Sequence, residues 1–428
     1  MAQKGIREYD AKRLMGKALS EFSGGTFKFK PKQVLIGPET DFTKIENKNP
    51  WLKKEKLVAK PDQLFGKRGK NNLLYVNKNW NEVKKWIKER MNKKVTIIQT
   101  TGKTTGILTH FLVEKFVPHK EEYYLAITTH RDKDTIHFST KGGVDIEEVW
   151  DTVKTLDIPI LSDIDDVNVE GFLPKELGDK KKKVADFIVS LYKMLVDYHF
   201  VYLELNPFTF VGDSVVPLDT VAKVDDYASY QCAEKWNGLK FPSPFGLQKT
   251  PEEERVSELD ERTGASLKLT VLNPEGRIWN LVAGGGASVI YADTVADLGF
   301  AKELANYGEY SGNPSTELTY EYTKILLDLM TRKKDPKGKP KFLIVGGGIA
   351  NFTDVAKTFT GIIQAIEDYK DKLKKTNVKI YVRRGGPNYK EGLNNMRKMG
   401  KRLGLPVEVY GPETHMTRIV SMALKGGK

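Results

Sequence analysis

Cysteine is all but missing from this 428-residue chain; Cys232 is the only one. No internal disulfide framework can therefore staple the fold, and the composition fits a reducing cytoplasm. No run of 18 apolar residues occurs, so no segment is expected to span a membrane. The N-terminal stretch MAQKGIREYDAKRL lacks the apolar core of a signal peptide. Histidine is scarce too: His110, His119, His130, His137, His199 and His415 show no metal-ligand spacing. His415, beside a final helix, invites a catalytic reading, but a lone histidine at a helix start more often caps or packs. The charge is uneven, with 69 Lys and Arg against 56 Asp and Glu and a net +13. The lysines scatter, however, and the clusters Lys180 to Lys183 and Arg332 to Lys341 read as solvated loops or helix ends. No element interleaves basic residues with exposed aromatics, which argues against a nucleic-acid partner. A triphosphate or polycarboxylate ligand accounts for part of the basic excess.

What is present is an α/β pattern long enough for two or three domains, with 39% hydrophobic residues to fill their cores. The organising stretch is Lys341 to Thr353, KFLIVGGGIANFT. Phe342 to Val345 form a short apolar run, as expected of a strand buried on both faces of a parallel sheet. Gly346, Gly347 and Gly348 turn the chain and leave main-chain N–H groups uncovered. Asn351 and Thr353 stand where a helix begins, and Phe359, Ile362, Ile363 and Ile366 give that helix one apolar stripe. A strand, a glycine turn and a helix N-terminus form an anion site. A sister unit, WNLVAGGGASV, carries Gly284 to Gly286. A third turn, from Tyr381 to Tyr389, brings Arg383 and Arg384 to a strand end, where an arginine fork can hold a carboxylate or phosphate. Neither triplet fits the dinucleotide fingerprint, since Val289 and Asn351 stand at its last glycine. Gly102-Lys103-Thr104 fails as a P-loop because Ile97 replaces its first glycine; it reads as a turn between two strands.

Along the chain the pattern predicts a helix over 8–22, strands over 57–60 and 72–76, and a helix over 81–91. Strands over 111–117, 123–129 and 135–140 follow, then a helix over 186–199. In the strand 201–208, Tyr202, Glu204 and Asn206 face one way and Val201, Leu203 and Leu205 the other. A return strand follows a Gly212-Asp213 turn. A hairpin centred there makes Asn206 and Asp219 cross-strand partners, two oxygen ligands of the kind that suit Mg²⁺. The alternative is a half-exposed polar sheet face. Residues 237–253 read as an interdomain connection. Beyond it, strands and helices alternate in a flavodoxin-like doubly wound layout: strands 266–272 and 277–282, a helix to about Ala305, then a helix over 319–330. Strand 342–345, helix 354–369, strand 378–382, helix 388–403, strand 407–410 and helix 417–424 complete it.

The motifs KPDQLFGKRGK, FVPHKEEYY, LELNPF, TGASLK, LNPEGRIW, AGGGASVIYADT, NYGEYSG, GGGIANFTDVA and VRRGGPNYKEG lie in order over almost the whole chain. Together they closely resemble the ATP-citrate lyase A-subunit region and the large subunit of citryl-CoA synthetase, relatives of the succinyl-CoA synthetase β subunit. The resemblance implies an N-terminal ATP-grasp domain over residues 1–244 and a flavodoxin-like CoA-ligase-type domain over residues 245–428. It places ATP-binding positions on Lys60, Arg68, Gly69, Lys115, Val117 and Glu122, and Mg²⁺ ligands on Asn206 and Asp219. Asp260, Thr263 and Ala265 fall on a further metal site. Gly312, Asn351, Thr353, Tyr369 and Arg384 fall on citrate contacts.

The same resemblance implies an acid–CoA ligase subunit that activates citrate with ATP and Mg²⁺, with CoA as co-substrate. In relatives the phosphoryl group passes through a histidine on the CoA-binding, α-type subunit, and no part of this chain matches that region. No catalytic residue is therefore expected on this chain, which is read as one half of a cytoplasmic hetero-oligomer. A ligase subunit for another carboxylic acid such as succinate, and a metabolite-binding module without chemistry, are the alternatives.

Overall fold

The computed structural model describes residues 3–99, 102–143, 150–212, 214–247, 249–262 and 264–426. The chain divides into two compact units, Met1–Gln248 and Lys249–Lys428.

In the first unit, apolar alternation builds one large sheet. Its strands run in the order Gln3–Ile6, Thr220–Asp225, Phe200–Val211, Tyr123–Thr129, Lys133–Ser139 and Lys154–Pro159, all antiparallel where paired, with Ser214–Pro217 added to the far half of Phe200–Val211. Leu125, Ile127, Leu203 and Leu205 on one face share a core with Leu14, Met15 and Ala18 of helix Glu8–Phe22 and with Phe187, Ile188, Leu191 and Leu195 of helix Lys181–Asp197. Each such Leu, Ile, Met or Phe side chain stabilises the fold by about 1.5–3 kcal/mol. The lysine cluster at 180–183 opens that helix. The register of Phe200–Val211 against Tyr123–Thr129 shifts between Leu205 and Phe208, where Pro207 has no N–H for the ladder.

A second sheet, ordered Gln33–Ile36, Phe111–Lys115, Leu57–Pro61, Tyr75–Lys78, packs on helix Trp80–Arg90 through Val83, Trp86 and Ile87. That helix starts at Asn79, where a reciprocal capping box with Glu82 satisfies the first N–H groups. Gly102-Lys103-Thr104 is no turn: these residues open strand Gly102–Ile107, paired with Lys94–Gln99. The strands Gln3–Ile6, Gln33–Ile36 and Lys154–Pro159 were not expected from the pattern, being short and only partly buried.

The second unit is a six-stranded sheet ordered Ser266–Val271, Asn306–Ser311, Ile278–Ala283, Lys341–Gly347, Val378–Arg383, Val407–Tyr410. Only the first strand is antiparallel to its neighbour. Counted from Ile278–Ala283, the parallel strands lie in the order 2-1-3-4-5, the flavodoxin-like arrangement, and the order reverses between the two strands that end in glycine triplets. Lys341–Gly347 is buried along its whole length. Helices Thr316–Thr331 and Val355–Asp368 cover one face, and they approach so closely at Gly361 that a Cβ there would strike the Thr316 carbonyl. Phe359, Ile362 and Ile366 are buried.

One expectation fails here. The helix opens within the glycine triplet, at Gly285, and ends at Val295 rather than near Ala305, and irregular turns lead into strand Asn306–Ser311. Gly299, at φ +91°, breaks the helix. The missed strand reads NYGEYS, whose polar residues hide its burial: Asn306, Gly308, Glu309 and Tyr310 are all buried.

Candidate functional site

Between the two sheets of the first unit lies a cavity of about 1340 Å³. Lys60, Arg68, Gly69, Lys115, Val117, Glu122, Asn206 and Asp219, scattered over 160 positions of sequence, all line it. Strand alternation explains the large-sheet wall: the residues opposite the Leu203–Leu205 core, namely Tyr202, Glu204 and Asn206, face the cavity.

At one end is a buried ion cluster. Lys60 Nζ donates to Glu8 Oε1 at 2.7 Å and lies 3.2 Å from Glu114 and 3.4 Å from Asp219 Oδ1. Arg68 NH1 donates to Glu8 Oε2 at 2.7 Å and to Asp219 Oδ1 at 2.5 Å. Lys12, one helical turn after Glu8, reaches Glu8 and Glu114 at 2.8 Å each. Lys12 and Lys60 also share the Leu218 carbonyl, at 3.2 and 2.6 Å, which pins the residue before Asp219. Asp62 accepts the N–H groups of Glu8 and Tyr9 at 2.8 and 3.1 Å and so caps the helix that carries Glu8. Burial, with the Asp219 charge adding to it, pushes the Glu8 carboxyl up to about 7 against the pull of Lys12, Lys60 and Arg68. Burial also raises Asp219, but Arg68 and then Lys60 outweigh it and hold that carboxyl well below its ordinary range. Lys60 and Arg68 are raised in turn: burial opposes their charge, and Asp219 leads the carboxylates that overcome it.

At the other end, His119 sits with Nδ1 2.8 Å from the Val117 carbonyl and Nε2 2.8 Å from Glu122 Oε1. Lys115 pairs with Glu55 at 3.0 Å. Gly143 joins this wall to the hairpin: its N–H donates to Asn206 Oδ1 at 2.8 Å, and a Cβ there would lie 2.8 Å from Glu122 Oε2.

The hairpin register runs from Val211↔Ser214 to Phe208↔Pro217, and the Asn206 N–H donates to the Asp219 carbonyl at 3.0 Å. The two positions thus lie side by side. The hydrogen bonds to the Asp219 carboxylate from Arg68, Lys60 and the Thr220 N–H all go to Oδ1. Oδ2 belongs to a side chain that is 39% exposed. A carboxylate oxygen and an amide oxygen on a rigid sheet suit a hard cation that brings phosphate and water as its other ligands. The residues therefore fit Mg²⁺.

The further metal positions are placed differently. Asp260 Oδ1 accepts the Leu267 N–H at 2.6 Å and ties helix Pro251–Asp260 to strand Ser266–Val271. Ala265 is buried beside them, and Thr263 lies outside the described residues. Among the described residues, no group of three or more His, Cys, Asp or Glu side chains gathers as a metal site.

In the second unit Gly346 and Gly347 are not a turn but the last residues of strand Lys341–Gly347, and the segment that follows them meets the arginine turn beside the sheet's switch point. Ala350 N–H donates to the Gly385 carbonyl and Val355 N–H to the Pro387 carbonyl. Asp354 caps helix Val355–Asp368 and accepts from Asn388 at 2.9 Å. Gly312, at φ +73°, ends strand Asn306–Ser311, and the next residue, Asn313, accepts the Asp354 N–H at 3.4 Å. Gly312, Asn351, Thr353 and Arg384 therefore gather at one end of the sheet. Burial lowers the Arg384 guanidinium somewhat; an arginine stays charged regardless.

Two expectations need correction. The arginines do not act as a pair: Arg383 donates to the carbonyls of Thr414, Gly347 and Pro412 at 2.9, 2.9 and 3.2 Å and is committed to the fold. Arg384 makes only one such bond, to the Gly348 carbonyl at 2.7 Å. Tyr369 follows the far end of helix Val355–Asp368, about 20 Å along its axis from Thr353 at 1.5 Å per residue. A single citrate at Thr353 and Arg384 cannot touch it; its ring instead carries Lys372 at 4.7 Å. His415 Nδ1 lies 3.0 Å from Thr417 Oγ1, the N-cap residue of helix Arg418–Lys425.

Sequence reasoning missed Glu8, Lys12 and Glu114. A signal was present, because Glu8 and Lys12 interrupt the apolar face that Met15 and Leu19 continue. It missed Tyr291 and Tyr310 as well, two buried phenols beside Arg384. The Gly346 backbone approaches the Tyr291 ring so closely that a Cβ would lie 2.5 Å from it.

Comparison with known proteins matches both units. Residues 2–236 match the family model described as ATP-citrate synthase ATP-grasp domain, and residues 247–426 the model described as ATP citrate lyase citrate-binding. The chain is 48% identical to ATP-citrate synthase alpha chain protein 2 of Oryza sativa subsp. japonica, covering 99% of each chain. It is 47% identical to ATP-citrate synthase of Homo sapiens but covers only 38% of that longer protein. Among solved structures, ATP citrate lyase from Methanothrix soehngenii, in complex with citrate and coenzyme A, superposes with a TM-score of 0.89. It is 54% identical, and the match covers 99% of this chain and all of that one.

Proposed function

Because the chain belongs to the ATP-citrate synthase (ATP citrate lyase) family, we propose that it is the ATP- and citrate-binding subunit of an enzyme that joins citrate to coenzyme A as citryl-CoA with hydrolysis of ATP. The observation that carries the reading is the convergence of Lys60, Arg68, Glu122, Asn206 and Asp219 on one cavity of the ATP-grasp unit. Lys60 and Arg68 neutralise the triphosphate, Glu122 receives the ribose hydroxyls, and Lys115, at the end of strand Phe111–Lys115, meets the adenine with Val117 beyond it. Asn206 and Asp219 hold Mg²⁺, which supplies charge neutralisation at the transferring phosphoryl group. In the second unit Gly312, Asn351, Thr353 and Arg384 bind citrate, whose carboxylates suit polar side chains and a guanidinium fork at the end of the sheet.

The phosphoryl group passes by way of a histidine on a CoA-binding partner subunit to citrate, and CoA then displaces phosphate from citryl-phosphate. The complex is a cytoplasmic hetero-oligomer; no helix among the described residues is long and apolar enough to cross a membrane. The test is co-expression with the α-type partner and an assay for ATP-, citrate- and CoA-dependent thioester formation. Citryl-CoA as the end product marks a synthetase, and oxaloacetate with acetyl-CoA a lyase. Thioester formation from succinate in place of citrate refutes the substrate assignment.

A further inference from the structure

The cation pair assigned to the triphosphate is not free. Arg68 and Lys60 are both directed at Asp219 Oδ1, at 2.5 and 3.4 Å, and Asp219 is the carboxylate assigned to Mg²⁺. The basic groups Lys12, Lys60 and Arg68 are shared among the carboxyl groups of Glu8, Glu114 and Asp219. Nucleotide and metal can enter together by an exchange of partners. Asp219 gives up its cations for Mg²⁺, and the cations give up Asp219 for phosphate oxygens. During that exchange something must hold Lys60 and Arg68 in place.

Glu8 is the group positioned to do so. Its side chain is wholly buried, and its two oxygens are divided between the two cations: Oε1 takes Lys60 and Oε2 takes Arg68, each at 2.7 Å. Its own position is fixed from behind by Lys12 at 2.8 Å and by the Asp62 cap on its helix. We propose that Glu8 is a positioning residue of the nucleotide site: it anchors Lys60 and Arg68 alongside Asp219, so that the cations keep a carboxylate partner when Asp219 is released to Mg²⁺. The inference rests on the reading that this cavity takes ATP and Mg²⁺.

Its consequence is a coupling between the two ligands. With Glu8 intact, Mg²⁺ and nucleotide each remove the other's competitor. With Glu8 neutralised, Asp219 at 2.5 Å is the nearest remaining carboxylate of Arg68, while Lys60 keeps Glu114 at 3.2 Å and Asp219 at 3.4 Å; Arg68 grips Asp219 harder, and the coupling shrinks. The test is calorimetric titration of the full chain with a non-hydrolysable ATP analogue, with and without Mg²⁺, and separately with citrate. Wild-type protein is expected to bind the analogue more tightly with Mg²⁺. Glu8→Gln is expected to weaken analogue binding in Mg²⁺ roughly tenfold to hundredfold, the range for hydrogen bonds to charged groups. The gain on adding Mg²⁺ should fall with it, while citrate affinity in the other unit is unchanged, which a general loosening of the fold would not produce. Glu8→Asp keeps the charge one methylene short of the cations and is expected to fall between the two; it decides the matter if Glu8→Gln does not fold. Undiminished Mg²⁺-dependent analogue binding in the folded variants overturns the inference. Failure of the wild type itself to bind the analogue refutes the nucleotide site instead.

Discussion

Replacing Arg383 and Arg384 one at a time should separate fold from function at adjacent positions. Arg383 donates three hydrogen bonds to main-chain carbonyls, tying the turns around Gly347, Pro412 and Thr414 to the end of its strand. At about 1 kcal/mol net for each, Arg383→Ala should cost about 3 kcal/mol of stability. For a unit of this size that corresponds to roughly 6–12 °C in melting temperature. Arg384 is as deeply buried, 5% exposed, yet among the described residues it donates to the Gly348 carbonyl alone. Arg384→Ala should therefore cost about 1 kcal/mol of stability. Its larger effect falls on citrate: losing charge-assisted hydrogen bonds of about 1.5–3 kcal/mol should weaken binding roughly tenfold to hundredfold. Scanning calorimetry of the full chain gives the first quantity and citrate titration the second. Normal citrate affinity in Arg384→Ala, or an unchanged melting temperature in Arg383→Ala, refutes this division of labour.

Two further outcomes follow from packing and charge. Gly361→Ala places a methyl group against the Thr316 carbonyl, where helices Thr316–Thr331 and Val355–Asp368 touch. Overpacking of this kind costs about 1–3 kcal/mol, so urea denaturation should show a lower midpoint with the slope unchanged. His110 is held down to about 4, first by burial and then by the Arg7 charge. The unfolded chain takes up this proton as pH falls through about 6.5, whereas the folded chain resists until about 4. Stability from this group is thus complete above 6.5 and is lost as pH falls toward 4. His110→Gln should lose less stability than the wild type between pH 7 and 4.5, measured by denaturation midpoints.

Strands and helices were legible wherever burial follows a simple period. Tyr123–Thr129 and Val407–Tyr410 have the boundaries expected, and the helix after Thr353 shows its stripe because Phe359, Ile362 and Ile366 face one core. Strand Asn306–Ser311 was not legible. Its polar side chains are buried by tertiary pairing: Asn306 exchanges hydrogen bonds with the Asn280 backbone, and Glu309 lies against Gly285. Periodicity records only how a segment partitions between water and a core, and these residues are inside for another reason.

The chain by itself determined the two α/β units, the hairpin that sets Asn206 beside Asp219, and the placing of two glycine triplets at the ends of neighbouring strands. Each of these is local, or follows from strand order once local elements exist. Only the tertiary structure decided how the charges are distributed. Arg383 and Arg384 are identical in sequence terms, and their different fates depend on which carbonyls happen to lie within reach. Tyr369 is kept away from Thr353 and Arg384 by the length of the helix before it. Glu8 reaches Lys60 and Arg68 across 52 and 60 residues, an encounter created by register between distant elements and recorded in none of them separately.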